Sequence, residues 1–125
     1  MALTALVVDD HRLFRATVRM LLESEGYDVV GEAEDGASAL TQVSRLRPDV
    51  VLLDVQLPDT TGFDVARQVT SDRNGSRVVL VSSRSASEYG DLVEECGAVG
   101  FIPKDQLSGQ SLGAALREGR GHEDR

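Results

Sequence analysis

Five short runs of β-branched and aliphatic residues alternate with segments of helical periodicity along the whole chain. The runs are Ala5–Val8, Asp28–Ala33, Val50–Leu53, Val78–Val81 and Gly100–Ile102. Between them apolar residues recur three and four positions apart, as in Phe14, Val18 and Leu21, which is the period of a helix that buries one face. Strands that alternate with helices favour a parallel sheet joined by right-handed crossovers. We therefore predict an α/β fold, a doubly wound (βα)5 sandwich around a five-stranded parallel sheet.

Length and composition indicate one domain outside the membrane. The 125 residues suit a single compact core, and we expect residues 1–118 to form it and residues 119–125 to form a polar tail. No apolar run approaches the ~20 residues that span a bilayer, and the N-terminus lacks the pattern of a secretory signal. The single cysteine, Cys96, cannot form an internal disulfide and is expected to be a buried apolar residue. This fits a reducing compartment, so we expect a cytoplasmic protein.

The charge of the chain restricts its partners. The net charge is −8, from 13 basic and 21 acidic residues. A surface of that sign disfavours nonspecific binding to nucleic acid or to anionic lipid. We therefore expect no direct nucleic acid binding and no membrane partner.

Residues that can carry chemistry stand at the carboxyl ends of four predicted strands. The first run is followed by Asp9 and Asp10, the third by Asp54, and the fourth by Ser82, while Lys104 follows the fifth. Ligands of doubly wound sheets bind at the carboxyl ends of the strands, so we expect these side chains to converge in one cleft. Three converging carboxylates raise each other's pKa values, and a hard divalent cation with oxygen ligands resolves the conflict. The sequence therefore predicts a magnesium site.

Each of these residues also has an ordinary structural explanation. Asp9 or Asp10 alone could cap the helix that follows, and Ser82 or Lys104 alone is common at a strand end or a surface. Asp54 is harder to explain, because it stands between aliphatic residues where the pattern predicts burial and an isolated buried charge is costly. The combination at four strand ends is what indicates a site.

The segments that contain these residues resemble the response regulator receiver domain, the CheY-like phosphoacceptor of bacterial two-component signalling. They are VVDDHRLFR, EAEDGASAL, LLDVQLPDTTGFD, VVLVSSR and GAVGFIPK, and they occur in the order and at the spacing of the family. The pairing of VDDHRLFR with GFIPK is most similar to the NarL/FixJ (LuxR-type) branch. The resemblance covers nearly the whole chain and implies a flavodoxin-like sheet with strand order 2-1-3-4-5.

The resemblance also implies a role for the acidic residues. Asp54 corresponds to the phosphoacceptor, which takes a phosphoryl group from a sensor histidine kinase or a phosphotransfer protein. Asp9 and Asp10 correspond to the acidic pair that holds Mg²⁺, together with Asp54 and the backbone carbonyl of Gln56. Beyond its own phosphorylation and dephosphorylation, such a protein is not an enzyme.

Three further residues correspond to the positions that respond to the phosphoryl group. Lys104 matches the lysine that pairs with it, Ser82 the hydroxyl switch residue, and Phe101 the aromatic switch residue. We expect the Ser82 hydroxyl to move toward a phosphoryl oxygen and Phe101 to rotate into the space left behind, which would alter the surface for a downstream protein. The alternative for Phe101 is a plain core aromatic.

The sequence departs from the family pattern at two places. Asp105 follows Lys104 where receivers commonly carry a proline, often after a cis peptide, and a cis bond to a non-proline residue costs ~2.5–4 kcal/mol. The isomer of the Lys104–Asp105 bond therefore stays open at this point. Gln56, Ser83 and Arg84 should border the phosphoryl group and tune its lifetime in a direction that the residues alone do not give.

Three other functions compete with this one. A haloacid-dehalogenase-like phosphatase needs a second aspartate two residues after its nucleophile, and neither Asp9 nor Asp54 is followed by one. A phosphorylation-independent adaptor is disfavoured by the complete set of site residues. A LuxR-type transcriptional regulator would carry a helix-turn-helix beyond the receiver, so the chain is either a stand-alone receiver or a receiver fragment lacking its output domain, and we favour the stand-alone form.

Overall fold

The alternating pattern produces the expected sheet with helices on both faces. The computed structural model describes the backbone of residues 2–71 and 75–123, and side chains as far as residue 116. The elements are β1 Thr4–Val8, α1 Arg12–Ser24, β2 Asp28–Ala33, α2 Gly36–Leu46, β3 Val50–Asp54, α3 Gly62–Ser71, β4 Arg77–Ser82, α4 Leu92–Glu95, β5 Gly100–Pro103 and α5 Gly109–Glu123, with single 3₁₀ turns at Ala86–Glu88 and Lys104–Gln106. The predicted strands agree with the observed ones to within a residue at each end.

The five strands form one sheet in the order β2-β1-β3-β4-β5, and every neighbouring pair is parallel. The order predicted from the resemblance is therefore confirmed. Strand β1 lies where the chain turns from one side of the sheet to the other, which is the position where doubly wound proteins bind ligands. The register pairs Val8 with Leu53 and Asp54 with Val81, so the carboxyl ends of β1, β3 and β4 are level.

Two hydrophobic layers, one on each face of the sheet, stabilise the fold. Successive residues of a strand point to opposite faces, so Leu6 and Val8 of β1 join the layer under α2 and α3, while Ala5 and Val7 join the layer under α1 and α5. Strand β3 is buried along its whole length. Burial on both faces explains why its sequence is a continuous aliphatic run.

The helices differ in length and in how much of each is buried. Val18 and Leu22 of α1, four positions apart as in a helix that buries one face, are both buried, whereas α4 is a single turn. Cys96 is buried, with its thiol donating to the Val93 carbonyl at 3.2 Å, which confirms its predicted role. The predicted polar tail, 119–125, falls partly in the last turn of α5, where side chains lie outside the described residues, so it stays a prediction.

Helices long and apolar enough to cross a membrane do not occur in the described part of the chain.

Candidate functional site

An acidic cluster lies at the carboxyl ends of β1 and β3. Ligand atoms of Asp9, Asp10, His11 and Asp54 all lie within 4.8 Å of one another. The Asp9 side chain is fully buried and that of Asp54 is 5% exposed, whereas the Asp10 side chain is 38% exposed. The three carboxylates predicted to converge therefore do so, and His11 is a neighbour that the sequence did not single out.

Asp9 is fixed by the turn in which it stands. Its N–H donates to the Ala33 carbonyl at 3.0 Å, and its Oδ1 accepts from the His11 N–H at 2.7 Å. Arg15 of α1 donates from Nη1 to the Asp9 carbonyl at 2.7 Å, and Glu32 holds the same guanidinium at 3.0 Å. The N-cap of α1 is His11, so neither aspartate occupies the capping position. The Asp9 side chain instead lies among the other acidic side chains of the cluster.

Lys104 follows β5, the edge strand of the sheet, and its side chain extends to the cluster. Its ammonium nitrogen lies 2.7 Å from Asp9 Oδ2 and 3.4 Å from Asp54 Oδ2. Burial alone would lower the pKa of Lys104, but hydrogen bonding and attraction from these two carboxylates outweigh it and raise that pKa. The ammonium is therefore charged at neutral pH and balances part of the negative charge of the site.

The surroundings of Asp54 disfavour the charged form of its carboxyl group. Burial raises the pKa of Asp54, and the negative charge of Asp9 raises it further, while Lys104 and the Gln56 N–H lower it, so that it settles at about 6. The Gln56 N–H donates to Asp54 Oδ1 at 3.3 Å. Near neutral pH the carboxylate is thus held ionised at a position where the site disfavours its charge.

The donor set fits a hard divalent cation. Asp9 Oδ2 is a buried oxygen, and within the described residues the Lys104 ammonium, 2.7 Å away, is the group that faces it. All three acidic side chains offer oxygen ligands, and Mg²⁺ prefers oxygen. The buried Asp9 oxygen and the converging carboxylates therefore suit Mg²⁺.

An aromatic ring supports Lys104. Its ammonium lies 4.4 Å from the centroid of the Phe14 ring, a distance at which a cation is attracted to the π face. The helical period of α1 predicted Phe14 only as a core residue. The described residues contain no cis peptide bond, so the Lys104–Asp105 bond, left open above, is trans.

The loop after Asp54 is positioned by close backbone contacts. A Cβ at Gly62 would lie 2.4 Å from the Asp54 carbonyl oxygen, so only glycine lets the start of α3 approach the end of β3. Asp59 in the same loop accepts from the N–H groups of Gly36 and Ala37 at 2.8 and 3.1 Å. These contacts attach the loop to the first turn of α2 and explain part of the segment LPDTTGFD.

Ser82 and Phe101 lie on neighbouring strands, and a third side chain, Tyr89, contacts both of them. Ser82 is buried, and its Oγ lies 2.8 Å from the Tyr89 hydroxyl. The Tyr89 ring has its centroid 5.9 Å from that of Phe101 and 5.1 Å from that of Phe63. Sequence analysis missed Tyr89, whose signal was a lone aromatic seven positions after Ser82 in a polar segment.

A cleft of about 530 Å³ opens beside the cluster. It is lined by Asp10, His11, Phe14, Gln56, Leu57, Pro58, Ser83 and Lys104. Two of the residues predicted to border a phosphoryl group, Gln56 and Ser83, therefore face this opening. The cleft therefore connects the acidic cluster with solvent.

Comparison with known proteins finds one family model and several relatives that match most of the chain. The response regulator receiver domain family matches residues 5–117. Over 118 residues the chain is 39% identical to the "Probable transcriptional regulatory protein NarL" of Mycobacterium tuberculosis, covering 94% of this chain and 55% of that protein. It is 31% identical over 104 residues to the DNA-binding transcriptional activator EvgA of Escherichia coli (strain K12), covering 83% and 51%. The chain thus spans about half the length of these curated relatives.

Solved structures agree with the strand order. The signal receiver domain of NarL from Mycobacterium tuberculosis superposes with a TM-score of 0.85 at 38% sequence identity, and the match covers 96% of this chain and 98% of that one. The likeness extends over the whole sheet and its helices.

Proposed function

This chain belongs to the response regulator receiver domain family of two-component systems, and we propose that it takes up a phosphoryl group on Asp54. The observation that carries this proposal is the contact of a buried lysine ammonium with two buried carboxylates, Lys104 with Asp9 at 2.7 Å and with Asp54 at 3.4 Å. An ammonium at this place can offset the additional negative charge that the Asp54 side chain gains when it is phosphorylated.

Three carboxylates are proposed to hold a cation, and one of them, Asp54, is also the residue that reacts. Asp9, Asp10 and Asp54 would hold Mg²⁺, joined by the backbone carbonyl of Gln56 as the family resemblance suggests. Bound there, Mg²⁺ supplies positive charge against the phosphoryl oxygens. The Lys104 ammonium supplies a second positive charge, and the buried surroundings of Asp9 and Asp54 strengthen both attractions.

Transfer from a phosphohistidine donor balances without any further reactant. An Asp54 carboxylate oxygen attacks phosphorus, the new O–P bond forms, and the P–N bond to the donor imidazole breaks. The imidazole leaves with the electron pair of that bond and takes up a proton from solvent water. The donor is therefore a sensor histidine kinase or a phosphotransfer protein that presents its histidine in the cleft beside Asp10 and Lys104.

The readout proposed for this transfer lies on β4 and β5. The Ser82 hydroxyl would donate to a phosphoryl oxygen, and Phe101 would change its position in response. The affected surface, at the ends of β4 and β5, would then bind or release a downstream protein. Beyond its own phosphorylation and dephosphorylation we propose no enzymatic activity.

The proposed setting is the cytoplasm, and the output can take two forms. As a stand-alone receiver the chain would signal through contact with another protein. Since EvgA is a DNA-binding activator and the curated relatives are about twice as long as the matched region, the second candidate is the receiver part of a LuxR-type transcriptional regulator. In that case DNA binding would belong to a separate output domain.

Incubation with Mg²⁺ and a small acyl phosphate tests the proposal. We expect one phosphoryl group on the wild-type protein, and none on Asp54→Asn or in the presence of a chelator. Wild-type protein that takes up no phosphate, or Asp54→Asn protein that takes up as much as wild type, would contradict it.

A further inference from the structure

The hydroxyl of Ser82 is engaged by Tyr89. The two oxygens lie 2.8 Å apart, and Ser82 is 1% exposed. The Arg84 N–H also donates to Ser82 Oγ, at 3.1 Å. A buried hydroxyl that is to serve a phosphoryl group is therefore occupied by two other partners in this structure.

The contact between Ser82 and Tyr89 competes with a contact between Ser82 and a phosphoryl group. A serine hydroxyl has one proton and two lone pairs, and the Arg84 N–H donates to one of those lone pairs. Between Ser82 Oγ and the Tyr89 hydroxyl either oxygen can be the donor. In both cases, movement of Ser82 Oγ toward a phosphoryl oxygen breaks its 2.8 Å contact with Tyr89.

Tyr89 is also the inward-facing member of its segment. Residues 83–88 are all exposed, whereas Tyr89 is half-buried and its ring packs edge-on against Phe63. On the other side its ring meets Phe101. Tyr89 therefore joins the exposed segment after β4 to Ser82 through its hydroxyl and to the two phenylalanines through its ring.

We propose that Tyr89 is a positioning residue that holds Ser82 in the unphosphorylated state, and that phosphorylation of Asp54 transfers the Ser82 hydrogen bond from Tyr89 to a phosphoryl oxygen. This inference rests on the proposed function. Its consequence is that the Tyr89 ring is released, and with it the segment 83–89. Because the Tyr89 hydroxyl contacts Ser82 and its ring contacts Phe101, release of Tyr89 couples the movement of Ser82 to that of Phe101.

The contact can be tested without any phosphoryl group. The chain has two tyrosines, Tyr27 and Tyr89, so protein labelled with 3-fluorotyrosine gives two ¹⁹F resonances that Tyr27→Phe assigns. Ser82→Ala should shift the Tyr89 resonance and leave that of Tyr27 in place. Equal positions of the Tyr89 resonance in both proteins would overturn the inference.

The exchange can be tested with Mg²⁺ and beryllofluoride, a mimic of the phosphoryl group. Tyr89→Phe keeps the ring and removes the competing hydroxyl, so we expect beryllofluoride to bind about two- to ten-fold more tightly, the range for one neutral hydrogen bond. The gain should vanish in a Ser82→Ala background, because the effect passes through Ser82. Tyr27→Phe, in the other hydrophobic layer, is the matched control and should bind as wild type does.

The outcomes separate this inference from the proposed function. A wild-type protein that binds beryllofluoride while Tyr89→Phe binds it equally or more weakly would overturn the role of Tyr89 alone. An equal gain in the Ser82→Ala background would do the same, since it would show a general packing effect. A wild-type protein that does not bind beryllofluoride would contradict phosphorylation at Asp54 and, with it, the inference.

Discussion

Lys104 lies closer to Asp9 than to Asp54, with its ammonium nitrogen 2.7 Å from the first carboxylate and 3.4 Å from the second. Asp9 is also a proposed magnesium ligand, so the lysine and the cation compete for the same buried oxygen. Lys104 therefore stabilises the metal-free site and has to give up part of its contact with Asp9 when a cation binds.

Replacement of Lys104 should change stability and metal affinity in opposite directions. Lys104→Met leaves two buried carboxylates without their cation, which should lower the free energy of unfolding of the metal-free protein by about 1–3 kcal/mol. The same change removes the competitor, so Mg²⁺ should bind more tightly. Urea unfolding in chelator and calorimetric Mg²⁺ titration measure the two effects. Weaker Mg²⁺ binding by Lys104→Met would contradict the competition.

Replacement of Asp54 should stabilise the metal-free protein at neutral pH. The pKa of Asp54 is raised from 3.8 to about 6, so folding favours its protonated form. Its contribution to stability is complete below pH 4 and is lost as the pH rises through 6. Asp54→Asn should therefore be more stable than wild type at pH 8, by roughly 2–3 kcal/mol at most, with little difference at pH 4.

Urea unfolding at several pH values, in chelator, checks this dependence. The exposed Asp105→Asn is the control and should follow the wild-type curve. A stabilisation by Asp54→Asn that is equal at pH 4 and pH 8 would contradict the pKa assignment.

Mg²⁺ should raise the melting temperature of wild-type protein, because it binds the folded state alone. At a concentration 100 times the dissociation constant the gain is about 2.7 kcal/mol. Asp10→Asn removes a proposed ligand and should lose most of the shift, whereas the exposed Glu94→Gln should keep it. A full shift in Asp10→Asn, measured by calorimetry at equal Mg²⁺, would remove Asp10 from the ligand set.

Arg15 should affect the metal site although it is not a proposed ligand. It donates to the Asp9 carbonyl at 2.7 Å and pairs with Glu32, so it holds the turn that presents Asp9. Arg15→Met should weaken Mg²⁺ binding about ten-fold, as loss of a group that orients a ligand commonly does. Arg19 pairs with the same glutamate at 2.9 Å, and Arg19→Met is therefore the matched control. Equal affinities in the two variants would show that Arg15 acts only through Glu32.

The sequence was sufficient for the fold and for the acidic cluster. The alternation of aliphatic runs with helical periods follows directly from a sheet covered on both faces, and Asp54 was recognisable because a charge interrupts such a run. Asp9 and Asp10 could be placed beside it because parallel strands bring their carboxyl ends together. Each of these inferences depends on the period of one element or on strand direction alone.

The contacts that support the site could not be predicted, because they depend on three-dimensional packing that the periodicity of the sequence does not encode. Phe14, Arg15 and Tyr89 meet the site through the orientation of a side chain toward another element, and each residue type is ordinary where it stands in the sequence. Tyr89 is the most consequential of them, since it contacts both Ser82 and Phe101, the two residues expected to respond to the phosphoryl group. Only the packing of β4, β5 and the segment between them reveals that contact.

The most direct test of the account is to locate the phosphoryl group. Borohydride reduces an aspartyl phosphate to homoserine and so marks its position for peptide mapping by mass spectrometry. After incubation with Mg²⁺ and a small acyl phosphate, we predict homoserine at position 54 of the wild-type protein and at no position of Asp54→Asn. Homoserine at another aspartate of wild type, or none in a protein that has bound Mg²⁺, would contradict the assignment of Asp54 as the phosphoacceptor.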